Sequence, residues 1–382
     1  MSATPQIAVG IMSGTSLDAV DVVACRFHAD SSRQHRDAVT LELLASHTAP
    51  IPAALRDTLR NATDSQADSA QRHWSLANFA SLEAQLGELY ASATLELLQA
   101  AQIAPQQVLA IGCHGQTVMH LPPPHPLAAT LQLNDPARLA ARTGIPVVAD
   151  FRRADIALGG QGAPLVPAFH RALFATPEPR AICNIGGIAN LTLLHSDHCA
   201  GFDCGPGNAL LDGWCLRHTG KPYDENGGWA SSGKVVEPLL QELMAHPYLA
   251  QQPPKSCGRE QFNKSLLAHC DANPVDVQAT LTEFTALTIC STLASYAECQ
   301  QVIFEELLVC GGGAKNEFLM SRIAAHSSQP VGATATAGLA PEWVEAAAFA
   351  WLARQRLLEL PGNVTAVTGA AREAILGGLY LP

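Results

Sequence analysis

No stretch of this 382-residue chain approaches the ~20 consecutive apolar residues that a membrane-spanning helix needs. The N-terminal MSATPQ lacks the basic start of a secretory leader. Both absences lead to the expectation of a cytoplasmic protein with no membrane partner. Charge is scarce: charged residues make up 15% and apolar ones 48%, so a sizeable core can be buried, and the length suits two domains. The formal net charge of −11 offers no general basic face, which argues against a nucleic-acid partner. It does not exclude an anionic substrate, because a local patch can differ from the total. Eleven cysteines include no CxxC pair and no cluster with zinc-ligand spacing. Cys25, Cys183, Cys290 and Cys310 sit inside apolar patterns and are expected to be buried free thiols in a reducing compartment. Internal repeats and low-complexity tracts are also absent.

What is present begins with Ile7 to Phe27. Apolar residues at 7, 9 and 11 and at 20, 22 and 23 flank a tip of Ser13, Gly14, Thr15 and Ser16, which predicts a hairpin. Its tip is rich in backbone N–H groups and hydroxyls, a surface suited to phosphate oxygens. A second glycine-rich turn runs from Gly201 to Asn208 (GFDCGPGN), after the strand-like run Ala181 to Leu194. A third, Leu307 to Asn316 (LLVCGGGAKN), reads as a buried strand, three glycines and a helix. Ile185-Gly-Gly-Ile188 interrupts the Ala181 to Leu194 pattern and reads as a bulge or close backbone approach.

Between these turns, Val39 to His47 reads as a strand, and Ser75 to Ala101 as a long amphipathic helix. Val108 to Cys113 reads as a buried strand delivering His114, Gln116 and Thr117 at its carboxyl end, where ligands commonly sit in α/β sheets. Asn134 or Asp135 would cap a helix after a short strand from Leu131. Pro146 to Phe151 is a further buried strand, followed by Asp150, Arg152, Arg153 and Asp155 at its end. A flexible GGQGAPLVP loop then leads to a helix starting near Val166. The second half holds helices at Leu210 to His218, Val277 to Tyr296 and Pro341 to Arg356, with Lys221 to Phe262 loop-rich. HTGKPYD is not a P-loop, because Pro222 stands where Ser or Thr is required.

The order of these turns resembles that of the actin, Hsp70 and sugar-kinase superfamily. Within it MSGTSLDAVD, HGQT, DFRRADIALGGQGAPLVP, NIGGIAN, FDCGPGN and CGGGAKN resemble the anhydro-N-acetylmuramic acid kinase family along nearly the whole chain. The resemblance implies an α/β, two-lobed, actin-like ATPase (ribonuclease H-like) fold with an active-site cleft between the lobes. It places residues 1–165 in an N-terminal lobe, to which 362–382 pack back, and 166–361 in a C-terminal lobe. It implies a homodimer acting on a small amino sugar, with ATP as co-substrate and Mg²⁺.

ATP phosphates are expected at Gly14, Thr15, Ser16, Leu17, Asp18, Ala19, Val20 and Asp21 and at Gly205, Gly207 and Asn208, and the adenosine at Gly311, Gly312 and Gly313. Asp18 is the expected metal residue. Ala19 departs from the glycine usual in the family, which matters only if that position needs a positive φ. Sugar contacts are expected from His114, Gln116, Thr117, Asn134, Asp150, Arg152 and Asp155. Asp203 is the expected catalytic base, activating water that opens a 1,6-anhydro ring while O6 receives the phosphoryl group. KSCGREQFN (Lys255 onward) is expected to contribute to the nucleotide side. The competing readings are another small-molecule kinase of the same superfamily and an actin- or Hsp70-like nucleotide switch. The switch predicts a further substrate-binding domain, and no pattern for one is present.

Overall fold

The computed structural model describes residues 6–14, 17–31, 37–63, 75–253, 255–257, 261, 262, 267 and 270–382. Thr15 and Ser16 lie outside the described residues. The chain opens with strands β1 (Gln6–Ser13), β2 (Ala19–Ala29) and β3 (Val39–Pro50), then helices α1 (Ala53–Thr63) and α2 (Leu76–Ala100). Strands β4 (Val108–Cys113), β5 (Gln116–Leu121) and β6 (Ala129–Leu133) precede helix α3 (Pro136–Thr143). Strand β7 (Val147–Ala149) and helices α4 (Arg153–Ala157) and α5 (Val166–Phe174) follow. The next part holds β8 (Arg180–Ile185), β9 (Ile188–His195), β10 (His198–Pro206), α6 (Asn208–Thr219), α7 (Glu237–Met244) and α8 (Pro274–Gln300). It continues through β11 (Glu306–Cys310), α9 (Glu317–His326) and β12 (Val331–Ala333). Helices α10 (Val344–Leu357) and α11 (Thr365–Thr368) and strand β13 (Gly378–Tyr380) complete it. Among the described residues no helix is long and apolar enough to cross a membrane.

Two compact units result, Met1–Leu173 with Trp343–Pro382, and Phe174–Glu342. In the first, a six-stranded sheet has the order β13-β7-β4-β1-β2-β3. Val9, Ile11, Val20 and Val22 point to one face, where they bury Leu86, Tyr90 and Leu97 of α2. Ser75 caps α2 by accepting from Asn78 N at 3.1 Å. The alternate residues face α10, as the two-residue period of a strand requires. A Cβ on Gly10 would come within 2.7 Å of Ala350 N, and one on Gly112 within 2.7 Å of Phe349 C. These two glycines let the α10 backbone lie directly on β1 and β4. Sequence reasoning assigned this helix to the second lobe; the close approach seats it on the first sheet instead. Strand β13 likewise pairs with β7, Gly378 opposite Ala149.

The second unit repeats the first in topology. Its sheet order is β10-β9-β8-β11-β12, and β8 pairs antiparallel with β9 and parallel with β11. In the first sheet β1 pairs antiparallel with β2 and parallel with β4 in the same way. Strand for strand, β8, β9, β10, β11 and β12 stand where β1, β2, β3, β4 and β7 do. That is the α/β, ribonuclease H-like arrangement that was expected, present once in each unit.

The repeat corrects two local readings. Gly186 and Gly187 are not a bulge inside one strand: they are the turn between β8 and β9, matching the β1–β2 tip. Gly201 to Pro206 is not a turn but part of the third strand, and Gly207 and Asn208 begin α6. The loop-rich reading of Lys221 to Phe262 missed α7, and the segment after β3 hid α1.

Candidate functional site

In the first unit, the strand ends of β4 and β6 bring together most of the residues expected to hold sugar. His114 follows β4, and Gly115 adopts φ 78°, so the chain turns directly into β5. Arg152 Nε donates to His114 Nε2 at 3.0 Å, which fixes the ring proton on Nδ1. Burial, then the Arg152 charge, holds the His114 pKa well below its ordinary value, so the ring is neutral. The Nδ1 donor is buried and has no hydrogen-bond partner among the described residues.

Asn134 complements it. Its amide donates to Cys113 O at 3.3 Å, while its Oδ1 is buried and equally without a partner. A buried polar atom left unpaired costs about 1–3 kcal/mol. An orphan donor and an orphan acceptor thus lie at the ends of β4 and β6.

Gln116 is fixed from behind, because Ser13 Oγ donates to its Oε1 at 2.8 Å and also meets Tyr90 Oη at 3.1 Å. Thr117 Oγ1 accepts from Gln132 Nε2 at 3.3 Å. Asp150 has φ 60°, a conformation a non-glycine residue adopts at some cost, and lies 3.5 Å from Arg153. Burial raises its pKa, with Arg153 opposing.

Burial pulls the Arg152 pKa down to about 10, opposed by Glu345 and Asp155. Asp155 itself is fully buried. Its carboxylate accepts from Gly162 N, Asn363 Nδ2 and Thr368 Oγ1 at 2.8, 2.7 and 2.7 Å. With those acceptors engaged inside the protein, Asp155 supports the site rather than facing it.

At the β1–β2 tip the described residues are Gly14, Leu17 and those after it. Leu17 takes φ 60°, and its N–H donates to Gly14 O at 3.3 Å. Ala19 begins β2 in extended conformation, so replacing the family's glycine carries no backbone penalty there. Val20 is buried. Asp18 is exposed, whereas Asp21 accepts from Thr48 Oγ1 at 2.8 Å. Among the described residues no group of three or more His, Cys, Asp or Glu could hold a metal ion.

In the second unit, Asp203 lies on β10 beside a bulge at Cys204. Two neighbours 45 and 54 positions later grip it: Tyr248 Oη donates to Asp203 O at 2.9 Å, and Cys257 N to Asp203 Oδ2 at 2.9 Å. Asp203 N donates to Lys255 O at 3.1 Å, so residues 255–257 strap both ends of the aspartate. Among the described residues the Cys257 contact is the carboxylate's one hydrogen bond, which leaves Oδ1 for a proton. Burial pushes its pKa up to about 6, with the Cys257 N–H and Lys255 pulling the other way. Lys255 was legible only as part of a motif; its place against Asp203 and over the Tyr248 ring, 4.9 Å from the centroid, needed the fold.

The Gly186–Gly187 turn packs on the start of α6. Gly207 N and Ala209 N donate to Gly187 O, and Asn208 N to Gly186 O, at 3.0, 3.1 and 2.8 Å. The Asn208 side chain donates to Ile185 O at 3.2 Å. The amides of 207–209 are thus engaged within the protein. Gly186 and Gly187 were not recognised as the counterpart of the first tip; two glycines between two apolar runs were the available signal.

The triple glycine divides in the same way. Gly311 has φ 79°, and a Cβ there would meet Asn184 and Ile185. A Cβ on Gly313 would reach 2.6 Å from the Ile185 Cβ. Gly312 is exposed, with nothing nearer to its Cβ position than Asn208 Nδ2 at 3.7 Å. Of the three, Gly312 is the one with open space beside it.

The sequence profile of the family described as anhydro-N-acetylmuramic acid kinase matches residues 6–382. A protein of that name from Saccharophagus degradans is 46% identical over 392 residues, covering 99% of this chain and 100% of its own. Similar solved structures include a 2-hydroxyisocaproyl-CoA dehydratase activator from Clostridium difficile with bound ADPNP. It is 12% identical, covers 93% of this chain and 96% of its own, and has a TM-score of 0.43. A ROK family glucokinase from Streptomyces griseus with glucose and AMPPNP is also 12% identical, with coverages of 91% and 99% and a TM-score of 0.40.

Proposed function

The chain belongs to the anhydro-N-acetylmuramic acid kinase family, and from that premise we propose how its residues share the reaction. The enzyme uses ATP to open the 1,6-anhydro ring of 1,6-anhydro-N-acetylmuramic acid and to phosphorylate O6. The products are N-acetylmuramic acid 6-phosphate and ADP, which places the enzyme in peptidoglycan recycling.

Asp203 takes the proton of the water that attacks C1. The observation that carries this role is a buried carboxylate with one oxygen uncommitted among the described residues, its pKa pushed up to about 6 by that burial. A base whose pKa lies just below the working pH is both ionised and able to hold the proton it receives. The departing O6 needs no proton from an acid, because the γ-phosphoryl group traps it.

His114 Nδ1–H and Asn134 Oδ1 meet the sugar's polar groups, regaining the pairing that the folded chain leaves unmade. Arg152, held at His114, supplies positive charge for the lactyl carboxylate. Gln116, Thr117 and Asp150 complete that set. Gly14 to Asp21 approach the β- and γ-phosphates in the first unit. Gly186, Gly187, Gly205, Gly207 and Asn208 do so in the second, and Gly312 lies under the adenosine.

The exposed Asp18 is the residue that would help to hold a magnesium ion accompanying the nucleotide. When bound it neutralises phosphate charge. Free cysteines at every one of the eleven positions support a reducing, cytoplasmic setting. The homodimer remains part of the proposal and is checked by sedimentation.

Solvent oxygen tests the reaction. In ¹⁸O-water the label belongs at C1 of the product, initially in the inverted configuration, with phosphate on O6. A product with no early label at C1 would mean transfer to a free hydroxyl by an ordinary sugar kinase.

A further inference from the structure

The C-terminal segment forms no part of the site described above, yet it is joined to it by an unbroken series of short hydrogen bonds. Asn363 Nδ2 and Thr368 Oγ1 both donate to Asp155 Oδ1 at 2.7 Å. Asp155 Oδ2 accepts from Gly162 N at 2.8 Å. On the other side of the same residue, Gly162 O accepts from Arg152 Nη1 at 2.7 Å, and Arg152 Nε donates to His114 at 3.0 Å. Asp155 and Thr368 are wholly buried, and Asn363 is 1% exposed, so water does not compete for these groups.

The loop that carries Gly162 is further held by Gln161 Nε2, which donates to Pro123 O at 3.1 Å, and by Gly160 N, which donates to Asp155 O at 2.9 Å. Gly159 and Gly162 take φ 81° and 68°, and Gln161 N donates to Thr368 O at 2.7 Å. The segment is itself anchored where Asn363 Oδ1 accepts from Ala374 N at 2.7 Å.

We propose that residues 363–374 are a positioning element for sugar recognition. Asn363 and Thr368 set the Asp155 carboxylate, which fixes the Gly162 backbone at its N–H, and the carbonyl on the other side of the Gly162 Cα aims the Arg152 guanidinium and through it His114. A guanidinium recognises a carboxylate through a rigid planar fork, so a shift of the Gly162 backbone is transmitted as misaligned donors. The buried Asp155, with no acceptor directed at the substrate, is a positioning residue in this scheme. The proposal rests on the reading of Arg152 and His114 as sugar-binding residues.

Steady-state kinetics of the full-length protein with ATP and 1,6-anhydro-N-acetylmuramic acid test it. Thr368→Val keeps the side-chain shape and removes one donor to Asp155; Thr368→Ser restores it. The expected result for Thr368→Val is a rise in the sugar KM of roughly tenfold, about one weakened charge-assisted hydrogen bond, at unchanged KM for ATP. Thr368→Ser should return the sugar KM to the wild-type value. Asn363→Ala, which removes the other donor to the same oxygen, gives an independent second case.

An unchanged sugar KM in both variants overturns the proposal. So does a parallel rise in both KM values accompanied by a fall in Tm, which is what a merely structural role produces. Arg152→Gln separates the two layers. If it leaves the sugar KM unchanged, the reading of the sugar site fails; if it raises the sugar KM while Thr368→Val and Asn363→Ala do not, only the positioning role fails.

Discussion

At the scale of single residues, Asp203 carries a cost in stability that its proposed role as base would require. Its ordinary carboxylate value near 3.8 rises to about 6 on folding, mainly through burial. A carboxyl raised in the folded state binds more protons folded than unfolded between these two values. Stability therefore declines as pH rises from below 4 through about 6, and the penalty is fully present at neutral pH. Asp203→Asn should melt at the same temperature or higher than wild type at pH 7.5, with the difference vanishing near pH 4. The same variant should still bind both substrates and lose ~10²–10⁴-fold in kcat, and wild-type kcat should fall as pH drops through about 6. A variant that retained full kcat would remove Asp203 from the role of base. The motif FDCGPGN made this aspartate legible, but its environment was not, because Tyr248 and Cys257 reach it from 45 and 54 positions away.

The elements show how one residue type serves different ends. Gly311 and Gly313 are required by the packing of their own turn on Ile185, whereas Gly312 faces open space. Gly313→Ala should lower stability by about 1–3 kcal/mol, the usual cost of overpacking, measured by denaturant titration. Gly312→Ala should leave the denaturation midpoint nearly unchanged and raise the KM for ATP, leaving that for sugar alone. Equal stability losses in the two variants would count against this division. From the sequence the three glycines were equivalent, since only the neighbouring strand distinguishes them. Short elements escaped for a related reason. α1 has only Leu55 and Leu59 as fully buried leucines, too few for a clear helical period, and α7 lies among Gly227, Gly228, Gly233 and Pro238.

At the scale of the whole molecule, the chain holds its shape with thiols left free. Eight of the eleven cysteines are buried, Cys257 and Cys270 are half-buried, and Cys299 is exposed. Thiol titration of the native protein should find Cys299 reacting first and the eight buried thiols only on unfolding, and a reductant should leave Tm unchanged. Rapid reaction of most thiols in the native state would contradict the buried cores of both units.

The sequence by itself determined the class of the protein and the chemistry it carries. Apolar runs of the right length specify β1, β2 and β4, the Ser75-capped periodicity specifies α2, and six short motifs in order specify the family. These are local properties, expressed by residues close along the chain. Only the tertiary structure decided that α10 lies on the first sheet, because Gly10 and Gly112 accept it there from more than 230 positions away. Only it made Gly186–Gly187 the counterpart of the first hairpin tip, by giving both sheets one strand order. It also left His114 Nδ1 and Asn134 Oδ1 buried and without a hydrogen-bond partner among the described residues, and it engaged Asp155 with Asn363 and Thr368. Each of these depends on which distant backbone comes close, and the local pattern of apolar and polar residues does not encode that.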